Sequence, residues 1–277
     1  MLSRNLSWIL DWAPFALFWL LLAMLAVAET WRPVHLGRGE PGGRIPGNVG
    51  FGLINAVFGI LLPLSTVVPA AWARGEGIGL LNVVPVHPAL AALLTVLIRS
   101  LATYAVHVAS HKVPLFWRVH RVHHTDVRID LSTGFRNHPL ELAIGVPLFA
   151  LVAAGLGLDP AVLAVYEALA IGFALWDHAN LHLPDRLDRL LRLALVTPAM
   201  HHIHHSAIRA ETDSNYGDVL SLWDRLFGTY RESDLAALRA MRIGLGSGFD
   251  DAASDIAHQL VLPLRRTRPG PDAEAQR

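Results

Sequence analysis

Apolar residues in this chain fall into long, almost uncharged runs that are separated by short polar segments. The runs cover residues 12–28, 51–72, 88–111, 140–158 and 161–181. Each run is close to the ~20 residues that a helix needs to cross the hydrocarbon core of a bilayer. The pattern therefore predicts about five hydrophobic helices. Pro63 and Pro69 predict a kink in the second helix, and the Gly/Asp/Pro turn at 155–160 predicts that the last two form a hairpin.

The polar part of the chain follows the last apolar run. Residues after 181 are rich in arginine, and an amphipathic helix is expected around 187–196, at the membrane interface. From about Arg265 the tail lacks apolar periodicity, which predicts disorder. The chain is expected to be an all-α integral membrane bundle, with either five spans or four spans and a short hairpin, that carries a cytoplasmic helical cap. Within this one domain we expect N-terminal membrane helices at 1–87, a core at 88–235 and a C-terminal segment at 236–277.

Composition and charge support a membrane protein and indicate its topology. Of the 277 residues, 53% are hydrophobic and 17% are charged, and the formal net charge is zero, so the concentrated basic face that nucleic acid requires is not expected. Arginine and lysine concentrate at 32–44, at 112–136 and after 186, whereas the connection 73–87 has Arg74 alone. By the positive-inside rule the three basic segments are cytoplasmic, and we expect a bacterial inner membrane. The first run ends without a small-residue cleavage site, which favours an anchor helix over a signal peptide.

Histidine is the outstanding residue type in this sequence. The chain has 15 histidines and no cysteine, so disulfides and thiolate-bound metals are excluded and any metal must use nitrogen or oxygen ligands. Ten histidines stand at helical i,i+3 or i,i+4 spacing, at which rings share a helix face, and each group is expected to converge on metal. Ten ligands exceed what one tetrahedral zinc uses and suit two ions with about five nitrogens each. These candidate ligands are His107, His111, His120, His123, His124, His178, His182, His201, His204 and His205.

The order H-x-x-x-H, H-x-x-H-H, H-x-x-x-H, H-x-x-H-H resembles the histidine boxes of the fatty acid hydroxylase and sterol desaturase superfamily. The segments R-N-H-P-L-E at 136–141, H-A-N at 178–180, N-Y-G at 215–217 and W-D-R-L-F-G-T-Y at 223–230 are also similar to that family. The resemblance implies an oxygenase that uses two iron ions and dioxygen to oxidise an unactivated C–H bond of a lipid, such as a sterol or a fatty acyl chain. Zinc is expected as a substitute in preparations, because nitrogen ligands alone do not identify the ion.

Several polar residues near the boxes have two interpretations. His138 either supports the metal ligands or begins a helix, and His202 is expected to point away from the ligands of its own box. Asn180, Asp213 and Asn215 could hydrogen-bond ligand rings, although turn and capping roles are as common. Arg99, inside an apolar run, is expected to be functional or ion-paired, with snorkelling to the interface as the alternative.

The sequence leaves the reaction and its partners partly open. It contains no flavin or dinucleotide fingerprint, so electrons are expected from a separate reductase, ferredoxin or cytochrome that docks on the cap. Hydroxylation is favoured, and desaturation is the alternative because it begins with the same hydrogen abstraction. A metal transporter is the alternative from another class, disfavoured because transport sites usually lie near the bilayer midplane. The motifs do not specify which lipid or which carbon is oxidised.

Overall fold

The described part of the protein is helical. The computed structural model describes residues 2–36, 43–62, 65–246 and 254–265, with side chains from residue 16 onward. Within these ranges it has no β-strand beyond two isolated bridges. The helices are α1 Leu2–Trp31, α2 Arg44–Leu61, α3 Val67–Gly75, α4 Leu80–Val83, α5 Pro88–Lys112, α6 Pro114–His124, α7 Pro139–Leu156, α8 Pro160–His178, α9 Asp185–Leu191, α10 Pro198–His204, α11 Arg209–Thr212, α12 Leu222–Leu226, α13 Leu235–Ala240 and α14 Ile256–Val261, with 3-10 turns at Leu131–Phe135 and Leu262–Leu264.

Four helices are long and apolar enough to cross a membrane. They are α2, α5, α7 and α8, and the shorter apolar segment Ala16–Trp31 belongs to α1. At most 22% of the residues in each spanning window are buried inside the protein. The outward faces carry large exposed apolar side chains, among them Leu53, Leu93, Leu151 and Val165. Such broad apolar surfaces are stable against lipid and not against water, so the chain is an integral membrane protein.

The spanning helices alternate in direction, which collects the polar connections at one end of the bundle. Helices α2 and α7 begin near that end. In the first turn of α2, Arg44 pairs with Asp126 at 3.0 Å, and in the first turn of α7, Glu141 lies 2.8 Å from His120. Helix α8 ends there, with His178 3.0 Å from His123. We call residues 113–138, 179–246 and 254–265 at this end the polar cap.

The opposite end of the bundle holds the hairpin between α7 and α8. Gly157 ends α7 with a φ of 70°, and Gly79 packs directly against its backbone. A Cβ on Gly79 would lie 2.4 Å from the Gly157 nitrogen, so this contact requires glycine. The hairpin turn therefore lies where the sequence predicted it, and α8 follows with Asp159 as its N-cap and Pro160 in its first turn.

Two predicted elements have different bounds in the structure. The run 51–72 is not one kinked helix, because α2 ends at Leu61 and α3 begins at Val67 and packs against α7 and α8. Pro69 lies in the first turn of α3, where a missing N–H costs little, and Pro63 lies outside the described residues. The amphipathic helix expected at 187–196 is the shorter α9. The tail beyond residue 265, expected to be disordered, lies outside the described residues as well.

Helix α2 begins before its apolar run because its polar first turns have partners in the polar cap. Arg44 and Asn48 are fully buried, and the amide of Asn48 donates to Asp126 at 2.9 Å and to Ser132 at 3.0 Å. Arg99 also has a partner, since its guanidinium makes a bidentate ion pair with Glu167 of α8 at 2.8 and 3.0 Å. The ion-paired interpretation of Arg99 is therefore correct, and the pair joins α5 to α8 within the bundle.

Candidate metal centre

Nine of the ten predicted ligands lie in two compact groups, in each of which the candidate ligand atoms are all within 4.8 Å of one another. The five-histidine group contains His107, His111, His120, His124 and His204. The four-histidine group contains His123, His178, His201 and His205. All nine side chains are buried except that of His107, which is partly buried. The arrangement offers two sites, with five and four nitrogens.

The two groups divide the H-x-x-H-H motifs between them. On α6, His120 and His124 face the five-histidine group, whereas His123 faces the other. At the end of α10 the division is reversed, because His204 belongs to the five-histidine group and His201 and His205 to the four-histidine group. Adjacent residues differ by about 100° around a helix and residues four apart by only about 40°, so the i,i+4 histidines of one motif can face one ion while the remaining histidine faces a second ion. The expectation that each triple converges on one point is thus wrong.

The tenth predicted ligand, His182, lies in neither group. Helix α8 ends at His178, so the helical face shared by residues four apart does not continue to His182. Its main-chain N–H donates to the Arg32 carbonyl at 2.7 Å. Its side chain lines a separate cavity of about 690 Å³ together with Asp185, Asp188 and Arg192. Spacing alone could not show that the helix stops between the two histidines.

The Nε2 atoms of the four-histidine group point at one another. His178 lies 3.0 Å from His123, 3.0 Å from His201 and 3.2 Å from His205 through these atoms. In the five-histidine group, the corresponding distance from His120 to His124 is 3.2 Å. The Nε2 atoms of His107, His111 and His204 are buried and have no hydrogen-bond partner among the described residues.

Hydrogen bonds at the other ring nitrogen fix which atom of several rings is free for a metal. Nδ1 of four rings donates to main-chain carbonyl oxygens, which can only accept. These bonds join His107 to Tyr216 at 2.7 Å, His123 to Arg136 at 3.1 Å, His178 to Ala174 at 2.6 Å and His204 to Ser214 at 2.8 Å. Nδ1 of His120 lies 2.8 Å from the carboxylate of Glu141. Each neutral ring then presents an Nε2 lone pair inward, and facing lone pairs repel unless a cation lies between them, so the residues fit metal ions.

Electrostatics keeps the rings of the polar cap in the form that binds metal. Burial lowers the pKa of His204 to about 3, and it lowers the pKa values of His123, His124, His201 and His205 well below their usual range. Neighbouring histidines act in the same direction, because a second positive charge nearby would be repelled. These five rings are therefore neutral at pH 7, which is the protonation state that a metal requires.

A buried polar network that the sequence analysis did not identify supports α6. The guanidinium of Arg136 donates to the Val122 carbonyl at 3.0 Å and to Thr125 at 2.8 Å. Asp126 accepts from Arg44 at 3.0 Å and from Thr133 at 2.8 Å. These contacts hold the end of α6, and the Arg136 carbonyl in turn holds His123. Arg136 lies in the segment 136–141 that resembles the family. Sequence alone, however, cannot pair Asp126 with a residue as distant as Arg44.

Asp224 is a second supporting residue that the sequence analysis missed. Its carboxylate accepts from the main-chain N–H groups of Tyr216 and Gly217, both at 2.8 Å, and from the Thr229 hydroxyl at 2.7 Å. This arrangement fixes the loop whose Tyr216 carbonyl accepts from His107. The motif W-D-R contains Asp224, but only the fold shows which loop it holds.

Most of the polar residues that have two interpretations in the sequence contact main-chain groups around the site and not the rings of the two histidine groups. His138 is the N-cap of α7 and forms a capping box with Glu141, so it begins a helix. Asn180 holds the main chain of His35, and Asn215 holds the main chain of Met200 and Arg231. Asp213 lies 3.6 Å from Nδ1 of His111, too far for a hydrogen bond. His202 points away from both groups and stacks on His35 at 5.1 Å.

One cavity of about 320 Å³ is lined by histidines of both groups. His107 and His120 reach it from the five-histidine group, and His123, His178 and His201 from the other. The rest of its wall comes largely from apolar side chains of α5, α6, α7 and α8, such as Val106, Phe116, Leu142, Val146, Phe149 and Ala170. The cavity therefore connects the two candidate metal sites to an apolar space between the spanning helices.

Comparison with known proteins gives a match that covers all the histidines of the two groups. Residues 92–229 match the family described as fatty acid hydroxylase. The chain is 32% identical over 129 residues to alkylglycerol monooxygenase of Homo sapiens, covering 46% of this chain and 27% of the relative. It is 30% identical over 137 residues to an ornithine lipid hydroxylase of Rhizobium tropici, covering 50% and 40%. It is 33% identical over 127 residues to a cholesterol 25-hydroxylase-like protein of Danio rerio, covering 44% and 48%.

The chain thus spans between about a quarter and a half of the length of these relatives. No solved structure matches it.

Proposed function

We propose, from the membership of residues 92–229 in the fatty acid hydroxylase family, that this chain is a membrane-bound oxygenase that hydroxylates a C–H bond of a lipid. The observation that carries the proposal is that both histidine groups open onto one apolar cavity between the spanning helices. Such a cavity can take an apolar chain from the bilayer and place one of its carbons beside two metal ions. The metals that we propose are two irons, with zinc as a substitute in preparations.

The chain's own residues would hold and orient the metals. The proposed ligands are the Nε2 atoms of the five-histidine and four-histidine groups. Several of these rings are oriented through Nδ1, by the Glu141 carboxylate and by the main-chain carbonyls of Tyr216, Arg136 and Ser214. When bound, two irons would supply the activation of dioxygen. The apolar wall of the cavity keeps bulk water from the reacting carbon and holds the substrate in one orientation.

Hydroxylation is favoured by the relatives, whose printed names describe a monooxygenase and hydroxylases of lipids. A metal transporter is disfavoured by position. His111 lies in the last turn of α5 and His178 is the last residue of α8, so both groups lie at helix ends and not near the middle of the spans, where transport sites usually lie.

The chain requires electrons from a partner, and the polar cap is the surface that we propose for it. Arg32, Arg118, Arg186 and Arg189 are in or beside this end of the bundle, whereas Arg74 lies at the other. By the positive-inside rule, this distribution supports the proposal that the cap, the metals and the electron donor lie in the cytoplasm. A reductase, a ferredoxin or a cytochrome would fit this role.

Labelled dioxygen tests the reaction directly. Membranes that contain the iron-loaded protein and a redox partner are incubated with ¹⁸O₂, and their lipids are compared with those of membranes carrying His120→Ala. We expect a lipid product that gains one labelled oxygen in the first sample and is absent from the second. A product that is lighter by two hydrogens and carries no label would contradict hydroxylation and would indicate desaturation.

A further inference from the structure

The cavity between the histidine groups contains two carboxyl groups that hold no histidine ring. Asp177, in the last turn of α8, is only 2% exposed, and its Oδ1 is buried without a hydrogen-bond partner among the described residues. Asp218 lies in the loop after Tyr216 and lines the same cavity, where its carboxylate accepts from the neighbouring Val219 N–H at 2.8 Å. Both residues therefore line a space whose wall is otherwise mainly apolar.

The protein itself offers these carboxyl groups little compensation. The guanidinium of Arg99, whose charge acts on Asp218, is already engaged with Glu167 and lies over the Phe149 ring at 3.9 Å. Burial raises the pKa of Asp218, which shows that its charge is poorly solvated where it lies. A buried acceptor without a donor costs free energy, and a bound molecule that brings a donor would recover it.

The position of Asp177 determines which part of a substrate it would contact. His178 follows it directly in the chain and lies at the centre of the four-histidine group. Because Asp177 and His178 line the same cavity, a donor held by Asp177 would lie in the space that the four-histidine group also lines. A hydroxyl group fits better than an ammonium group, because two metal ions held by neutral imidazoles leave the neighbouring space positively charged.

We propose that Asp177 and Asp218 form a hydroxyl-recognition site in the substrate cavity, and that the substrate is a lipid with a free hydroxyl group close to the oxidised carbon. The inference rests on the proposed function, which supplies the metals and the cavity's role. An aspartate keeps an acceptor oxygen whether it is ionised or protonated, so recognition of a hydroxyl does not depend on its protonation state.

The test measures binding without turnover, so that its result is separate from that of the labelled-dioxygen experiment. Iron-loaded protein in nanodiscs, without reductant, is equilibrated with dodecan-1-ol or with 1-methoxydodecane, which keeps the oxygen and the chain but has no donor. Empty nanodiscs correct for partitioning into lipid. We expect the protein to retain the alcohol roughly tenfold more than the ether, because only the alcohol can donate a hydrogen bond to an aspartate oxygen.

Variants assign this preference to the two aspartates. Asp177→Leu and Asp218→Leu should each bring the alcohol-to-ether ratio towards one, while Asp177→Asn, whose amide oxygen still accepts, should keep part of it. The control is Asp185→Leu, which removes an exposed carboxylate of the polar cap and should leave the ratio unchanged. Iron content, measured by plasma mass spectrometry, should be the same in all these proteins.

Four results would overturn the proposal. They are a ratio near one in the unmodified protein, an unchanged ratio in both leucine variants, stronger retention of dodecylamine than of the alcohol, and loss of iron in Asp177→Asn, which would make the carboxylate a metal ligand. The first and third use the unmodified protein, so they apply even if a leucine variant does not fold. A failed labelled-dioxygen experiment with an intact ratio would leave the hydroxyl site standing and remove only the hydroxylase function.

Discussion

Hydrogen bonds at Nδ1 decide how the histidines of this chain are used. Each bond to a carbonyl turns Nε2 inward, and the carbonyls come from segments far apart in sequence, such as Ala174 and Tyr216. The spacing of the histidines predicted that rings would gather, and this holds for nine of them. It could not predict the division of each H-x-x-H-H motif between two groups, because that depends on where α6 and α10 lie relative to α5 and α8.

His178 and His182 form a matched pair of variants at this scale. His178→Ala removes the ring at the centre of the four-histidine group, so we expect that group to lose its metal. His182→Ala removes a ring that lies outside both groups, and we expect the metal content to stay unchanged. Plasma mass spectrometry of both purified proteins gives the comparison. Equal metal loss in both variants would contradict the ligand set drawn from the geometry.

Some helix boundaries can be predicted from the sequence pattern, whereas others depend on tertiary contacts. The bounds of α5 and α7 and the start of α8 follow closely from apolar runs that begin at a Pro or directly after one, because Pro in the first turn fits a helix start. The start of α2 does not follow from its run, because Arg44 and Asn48 are polar and their buried partner Asp126 lies 78 or more residues away. The end of α8 at His178 could not be predicted from the apolar run either. For that reason His182 was expected to share a helix face with His178, which it does not.

Asp126 should be the residue that joins α2 most strongly to the polar cap. Its carboxylate is fully buried and accepts from Arg44, Asn48 and Thr133. Asp126→Ala removes one of the carboxylates that pair with the buried Arg44 guanidinium. Because a buried charge that loses a partner is costly, we expect the free energy of unfolding to fall by about 3 kcal/mol. The measurement is thermal unfolding of the purified protein in detergent.

The control for that variant is Asp234→Ala, which removes the exposed N-cap of α13 and should cost about 1 kcal/mol. An Asp126→Ala protein as stable as this control would contradict the assigned role.

The whole molecule has its two histidine groups at one end of an alternating bundle. Helices α5 and α8 end there and α2 and α7 begin there, so the histidines are carried by span ends and by the polar cap. We propose residues 88–235 as the catalytic core, since they contain both histidine groups and the cavity. Helix α2 and the segment 254–265 support this core from outside it, as the contacts of Arg44 and of the Leu262 carbonyl show.

Topology gives the prediction at this scale. A reporter fused after Arg265 and one inserted near Arg38 should both report the cytoplasm, while one inserted near Gly77, at the opposite end, should report the other side. Cysteine accessibility is a convenient second assay, because the chain has no cysteine of its own and each introduced thiol is the only one present. Reporters at Arg265 and Gly77 that agree would contradict an alternating bundle with its metals in the cytoplasm.

The number of metal ions per chain tests the central claim most directly. The metal-free protein is titrated with ferrous iron without oxygen, and bound iron is measured by plasma mass spectrometry against protein concentration. Two histidine groups with five and four converging nitrogens predict saturation at two ions per chain. His204→Ala and His201→Ala, which change one group each, should weaken binding of one ion more than the other. Saturation at a single ion in the unmodified protein would contradict the account.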